Sequence, residues 1–166
     1  MKGKHNSVLG IYPNARGFGF ALFEGMLAPL DWGVFETRGS DMNRRCLQRI
    51  AVLFNHQEPD VLVLEDMSDG NARREKRVRD LNEAISVLAE TQGIATALFS
   101  RKQVREFFGN ELVSKQRIAE IIGNRIRAFT PLVPPHRKPW KSEHARMGLF
   151  DAAALVLTWY QSQGIS

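Results

Sequence analysis

Cysteine is nearly absent from this chain. Cys46 is the one thiol in 166 residues, so no intramolecular disulfide framework can hold the fold. A lone thiol of this kind fits a reducing compartment, where it most often serves as a small buried hydrophobe, and a cytoplasmic location is the expectation. No apolar run approaches the roughly 20 residues that a membrane helix requires. The basic start Met1-Lys2-Gly3-Lys4-His5-Asn6 is followed by only a short apolar run, so neither membrane insertion nor secretion is expected. Repeats and low-complexity tracts are also missing, which removes solenoids and linker-rich arrays from consideration. What is present, 43% hydrophobic and 25% charged residues, is enough apolar material for one globular domain with one core. A net charge of +5 is compatible with a polyanionic partner, and its distribution says more than its total.

Two acids stand out because of their apolar surroundings. Glu65 closes the run Val61-Leu62-Val63-Leu64, which reads as a buried central strand, where an ionised carboxylate requires a cation nearby. Asp151 lies in Leu149-Phe150-Asp151-Ala152-Ala153-Ala154-Leu155-Val156-Leu157, apolar all round and long enough for a buried helix. Acids in two buried elements far apart in sequence point to a metal site. Each also has a plainer role open to it: Glu65 as a strand-end carboxylate neutralised by a lysine, Asp151 as the N-cap of a helix starting at Ala152.

Strand patterns come first along the chain. Residues 7–12 and 17–24 alternate as strands around the turn Pro13-Asn14-Ala15-Arg16, and residues 30–37 follow a second turn at Glu24-Gly25-Met26, making an antiparallel meander. Asp41 is placed to cap a helix whose apolar face is Leu47, Ile50, Ala51 and Phe54, and Glu58-Pro59-Asp60 stops it. A long helix over residues 72–92 follows the Val61–Glu65 strand, with Val78, Leu81, Ile85 and Leu88 on one face. A strand over 94–99, helices near 102–108 and 114–129, a Pro-rich loop over 131–139 and the helix with Asp151 complete the order. The expectation is an α/β mixed five-stranded sheet, a three-strand meander and then alternating helix and strand, covered by helices.

Nearly the whole chain resembles one family. Leu9-Gly10-Ile11-Tyr12-Pro13-Asn14-Ala15-Arg16-Gly17-Phe18-Gly19 is similar to the first strand-turn-strand of the RuvC-type Holliday junction resolvases, members of the RNase H-like nuclease superfamily. Pro59-Asp60-Val61-Leu62-Val63-Leu64-Glu65 resembles their second acidic strand, Arg101-Lys102-Gln103-Val104-Arg105 their basic segment, and Asp151-Ala152-Ala153 their final acidic helix. The resemblance implies an RNase H-like fold and a carboxylate cluster holding divalent metal, magnesium with manganese as a substitute, for phosphodiester hydrolysis. Two metals about 4 Å apart orient a water and take up charge on the leaving oxygen, and such hard cations need anionic oxygen ligands.

Glu65 and Asp151 match two of the family's acids. The first-strand aspartate is Tyr12 here, and the acid or histidine expected one helical turn before Asp151 is Gly148. Tyr12 can line the site and hydrogen-bond a phosphate or water, but a phenol is neutral near pH 7 and substitutes badly for a carboxylate. Candidate replacement ligands are Glu143, placed with His144 two turns before Asp151 if the last helix begins that early, and Asp66, which follows Glu65 at a strand end. An exposed polar residue is the favoured reading of His144.

Cations gather after Glu65: Arg73-Arg74-Glu75-Lys76-Arg77-Val78-Arg79 holds five with one acid. Arg73, Lys76 and Arg77 share a side that can track phosphates, with Arg74 beside them, and cations at a helix start oppose the macrodipole unless an anion is near. Arg105 and Lys115 resemble family positions that set cations near the scissile phosphate, and Arg16 lies in the turn beside Tyr12. Family resolvases also often carry an aromatic residue after the second acid, where this chain has Met67-Ser68. The resemblance implies a homodimer matching a four-way junction, with the Val78, Leu81, Ile85 and Leu88 seam serving either as its interface or as cover for the sheet. The expected function is a structure-specific nuclease on branched DNA, serving recombination and repair, with reduced activity. The alternative is a DNA-binding protein on the same fold that has lost cleavage, and a scaffold for protein contacts is a third reading that leaves the arginines unexplained.

Overall fold

The computed structural model describes residues 7–68 and 75–164. Its centre is a five-stranded sheet of order β3-β2-β1-β4-β5, formed by β1 (Val8–Asn14), β2 (Gly17–Phe23), β3 (Pro29–Glu36), β4 (Val61–Glu65) and β5 (Ala95–Phe99). The meander β1-β2-β3 is antiparallel, and β4 and β5 add to it in parallel after the crossovers α1 (Met42–Gln57) and α2 (Lys76–Thr91). Side chains alternate across the sheet. Leu9, Ile11, Phe18, Leu62 and Leu64 face α1 and α2. Val8, Tyr12, Ala21 and Val63 face the other way, toward α3 (Arg101–Phe108), α4 (Lys115–Arg125), a 3-10 turn (Arg127–Leu132) and α5 (Met147–Ser162).

The α5 helix is buried almost all round, and glycines set its approach to the sheet. A Cβ on Gly10 would lie 2.4 Å from the Ala152 carbonyl oxygen, and one on Gly19 would lie 2.1 Å from that of Gly148. Helix backbone therefore sits directly on β1 and β2.

Several local expectations change. Asp41 stands at the N-cap of α1, but its carboxylate pairs with Arg44 and Arg45, both at 2.8 Å, and caps no backbone N–H. The long helix runs over Lys76–Thr91, its expected first turn lying outside the described residues, and its Leu81 and Ile85 are fully buried against the sheet with Leu88 packed beside them. That seam covers the sheet and is not a free dimer interface. The helix expected over 114–129 ends at Arg125, and its last turn is the 3-10 segment, where Pro131 cannot continue an α-helix. Finally, α5 begins at Met147, which leaves Glu143 and His144 in the preceding loop and sets Asp151 inside the helix, away from its N-cap.

Candidate functional site

The carboxyl-terminal ends of β1 and β4 open beside α3, α4 and α5, the place where parallel strands in open α/β sheets commonly present a site. Register brings two of the singled-out residues together there. Gly10 pairs with Val63 across β1 and β4, and two further residues along each strand are Tyr12 and Glu65. Both are buried and both side chains line the same cleft.

Three helices supply the rest. A capping box between Ser100 and Gln103 starts α3, which brings Arg101 Nε to 3.8 Å from Glu65 Oε1 and sets Arg105 on the cleft wall. Ser114 caps α4 through the Arg117 N–H, so Lys115 is the first residue of that helix. A lysine there opposes the helix dipole, and carboxylates outweigh that cost. Lys115 Nζ lies 3.3 Å from Asp151 Oδ2, 3.3 Å from Glu143 Oε1 and 3.4 Å from the Tyr12 hydroxyl, and 5.0 Å from the centre of the Tyr12 ring.

Titration follows this geometry. Burial pushes the Asp151 carboxyl up to about 6 against the opposing pull of Lys115, with Glu143 and Glu65 adding to the rise. Burial works against the Lys115 ammonium too, but Asp151, Tyr12 and Glu143 together hold its pKa above the ordinary lysine value. Lysine is therefore charged at any physiological pH, and Asp151 exchanges its proton nearer to neutrality than an ordinary aspartate.

The fit of a divalent ion can be tested on the donor set. Among the described residues no three His, Cys, Asp or Glu side chains come together in a way that could hold one. An ammonium already balances Asp151 and Glu143, and the neutral phenol of Tyr12 stands where a first-strand carboxylate was expected. These residues do not fit a two-metal centre.

The remaining candidates fall elsewhere. Asp66 accepts hydrogen bonds from the Ser68 N–H at 3.0 Å and Oγ at 2.6 Å, which lower its pKa, and it lines a separate hollow with Lys76 and Arg79. His144 Nδ1 accepts from the Arg146 N–H at 3.1 Å, in the turn that leads into α5. Gly148 is held by packing: a Cβ there would meet Asn14 Nδ2 at 2.9 Å. Arg77 is committed to the fold, its guanidinium donating to Asn43 Oδ1 and to the Asn14 carbonyl, both at 2.9 Å. Arg16 donates to Ser142 Oγ at 3.1 Å and ties the β1–β2 turn to the loop before α5. Arg73 and Arg74 lie outside the described residues.

Two residues in this region were not legible beforehand. In the sequence Arg101 is part of a basic segment, and nothing local marks it as a partner of Glu65. Trp140, an exposed aromatic just past the Pro-rich loop over 131–139, carries no periodic or motif signal.

A larger groove at the opposite end of the sheet, lined by Glu24, Gln57, Asp60 and Gln92, has no Lys or Arg on its wall among the described residues.

No protein-family model matches the sequence, and no curated protein matches it. Solved structures do. Thermus thermophilus RuvC aligns at 21% identity with a TM-score of 0.65, over 96% of this chain and 97% of that one. The same organism's RuvC in complex with a Holliday junction substrate aligns at 18% identity with a TM-score of 0.67, over 96% and 97%. The yeast mitochondrial Holliday junction resolvase aligns at 19% identity with a TM-score of 0.64, over 95% of this chain and 78% of that chain. The mixed sheet and its flanking helices thus follow the fold of RuvC over nearly the whole chain.

Proposed function

We propose that this chain is a branched-DNA-binding protein on the RuvC fold whose cleft has lost the two-metal chemistry of a resolvase. The position of Lys115 carries the reading: its ammonium stands between Asp151 and Glu143, where a nuclease needs a divalent cation. An acidic cleft neutralised from within repels DNA less than a bare carboxylate cluster. Arg101 and Arg105 on its wall then supply phosphate contacts, and the net charge of +5 favours a polyanion. A RuvC solved with a Holliday junction substrate shares the fold, which makes a four-way junction the first ligand to try.

Fluorescence anisotropy with a four-way junction and a linear duplex of the same sequence, both in EDTA, tests the proposal. Tighter junction binding with a steep loss of affinity as salt rises is expected; equal affinity for the two DNAs would overturn the preference for branches. Two copies would suit the near two-fold symmetry of a junction, and light scattering of the complex reads that stoichiometry.

Metal-dependent cleavage is the second reading, and one observation favours it. Burial, Glu143 and Glu65 all raise the Asp151 carboxyl, and a carboxyl raised in this way within a cleft is a candidate functional group. Under that reading Glu65, Glu143 and Asp151 would hold a divalent ion, which would supply the charge for hydrolysis of junction strands.

A further inference from the structure

The loop before α5 carries a binding feature that the cleft does not explain. Between Ile121 and Ser142 the sequence contains no Asp or Glu, whereas Arg125, Arg127, Arg137, Lys138 and Lys141 all fall within it. At the tip of this basic stretch stands Trp140, 76% exposed, while Trp32 is half-buried and Trp159 buried. So exposed a ring gains little from burial, and the contact given for it is a cation, the Lys138 ammonium over one face.

Its backbone is fixed, however. The Lys141 N–H donates to the Lys138 carbonyl at 3.0 Å, closing a β-turn with Pro139 and Trp140 at its two central positions, and proline's fixed φ suits the first of these. Arg137 Nη1 donates to the Lys141 carbonyl at 2.9 Å and braces the turn. The flanks are pinned by Gln116 to the Pro134 carbonyl at 2.8 Å and by His136 to Glu120 at 3.0 Å. The indole is thus presented on a prepared turn, so ordering it against a ligand costs little entropy.

Position completes the case. Three residues after Trp140, Glu143 reaches Lys115 in the cleft, and three residues of chain span at most about 11 Å. Lys138 Nζ lies over one face of the indole, 5.4 Å from its centre, which leaves the opposite face for a base and sets a cation near the phosphate attached to it. An exposed aromatic among cations is the arrangement that stacks nucleic-acid bases while holding the backbone.

We infer that Trp140 is a base-stacking residue, which receives an unpaired or unstacked base of branched DNA beside the cleft while Lys138 and Lys141 hold the adjoining phosphates. The inference rests on the branched-DNA reading above and adds a base contact to it.

The test combines fluorescence and affinity on the full chain, using a four-way junction with 2-aminopurine at the branch point. Binding quenches the part of the tryptophan emission that Trp140→Phe removes. Trp140→Ala weakens junction binding about 5- to 150-fold, Trp140→Phe restores most of it, and the salt slope stays that of the parent, because stacking releases no counterions. Parent protein that binds the junction, with Trp140→Ala within twofold of it and no quenching, overturns the stacking role and leaves the DNA reading standing. Parent protein that binds no DNA overturns both.

Discussion

Lys115 and Asp151 are 36 residues apart in sequence and meet across the cleft, Nζ to Oδ2, at 3.3 Å. The contact joins the first residue of α4 to the buried α5, and Glu143 closes on the same ammonium from the loop between them. An internal cation held this way competes with any ion that would bind the same carboxylates.

Removing that cation tests the competition. Lys115→Ala leaves Asp151 and Glu143 facing one another without a counter-charge, so the variant gains saturable manganese binding by isothermal titration calorimetry, and adding Asp151→Asn abolishes it. Manganese binding equally tight in the parent and in Lys115→Ala would show that Lys115 does not guard the site.

The Asp151 carboxyl also sets a pH dependence. Its pKa is raised to about 6 in the folded chain, by burial first, from an ordinary value of 3.8. Between those values the folded state binds more protons than the unfolded one, so stability from this group is greatest below about pH 4 and is lost as pH rises through about 6. Denaturation midpoints of the parent minus those of Asp151→Asn should fall across that window. A difference independent of pH would remove Asp151 from the titration.

Arg77 separates folding from binding. Its two hydrogen bonds fix the end of β1 to α1 and α2, so Arg77→Ala destabilises the fold by about 1.5–3 kcal/mol per charge-assisted bond lost. The salt slope of DNA binding stays unchanged. A flattened slope with unaltered stability would assign Arg77 to phosphate contact.

The helix-on-sheet approach gives a graded series. A Cβ on Gly19 would lie 2.1 Å from helix backbone at Gly148, which cannot give way, so Gly19→Ala costs more than the roughly 1–3 kcal/mol of ordinary overpacking. Gly148→Ala meets the end of the Asn14 side chain at 2.9 Å and costs less. The reverse order in thermal unfolding would mean that α5 sits elsewhere.

Reading from sequence worked where a signal is local and failed where it is not. The strand Val61–Glu65 is bounded in the sequence by Pro59-Asp60 on one side and a charge on the other, and the structure has the same limits. The apolar stretch around Asp151 announced a buried helix, but no cap marked its start: Arg146 at the N-cap makes no side-chain cap, so the first turn was unreadable. The role of Gly148 depends on Asn14 and Gly19, and that of Lys115 on Tyr12, 103 residues away, contacts that only the packed fold creates. Periodicity showed that Val78, Leu81, Ile85 and Leu88 share a face; it carried no information on whether sheet or partner covers it.

Whether this cleft binds junctions without cutting them is tested most directly by incubating purified parent protein with an end-labelled four-way junction in magnesium. The expected result is a retained complex, equally tight in EDTA, with every strand intact after prolonged incubation. Magnesium-dependent nicks near the branch point, abolished by Glu65→Gln, would contradict the account and show that these acids assemble a working metal centre on DNA.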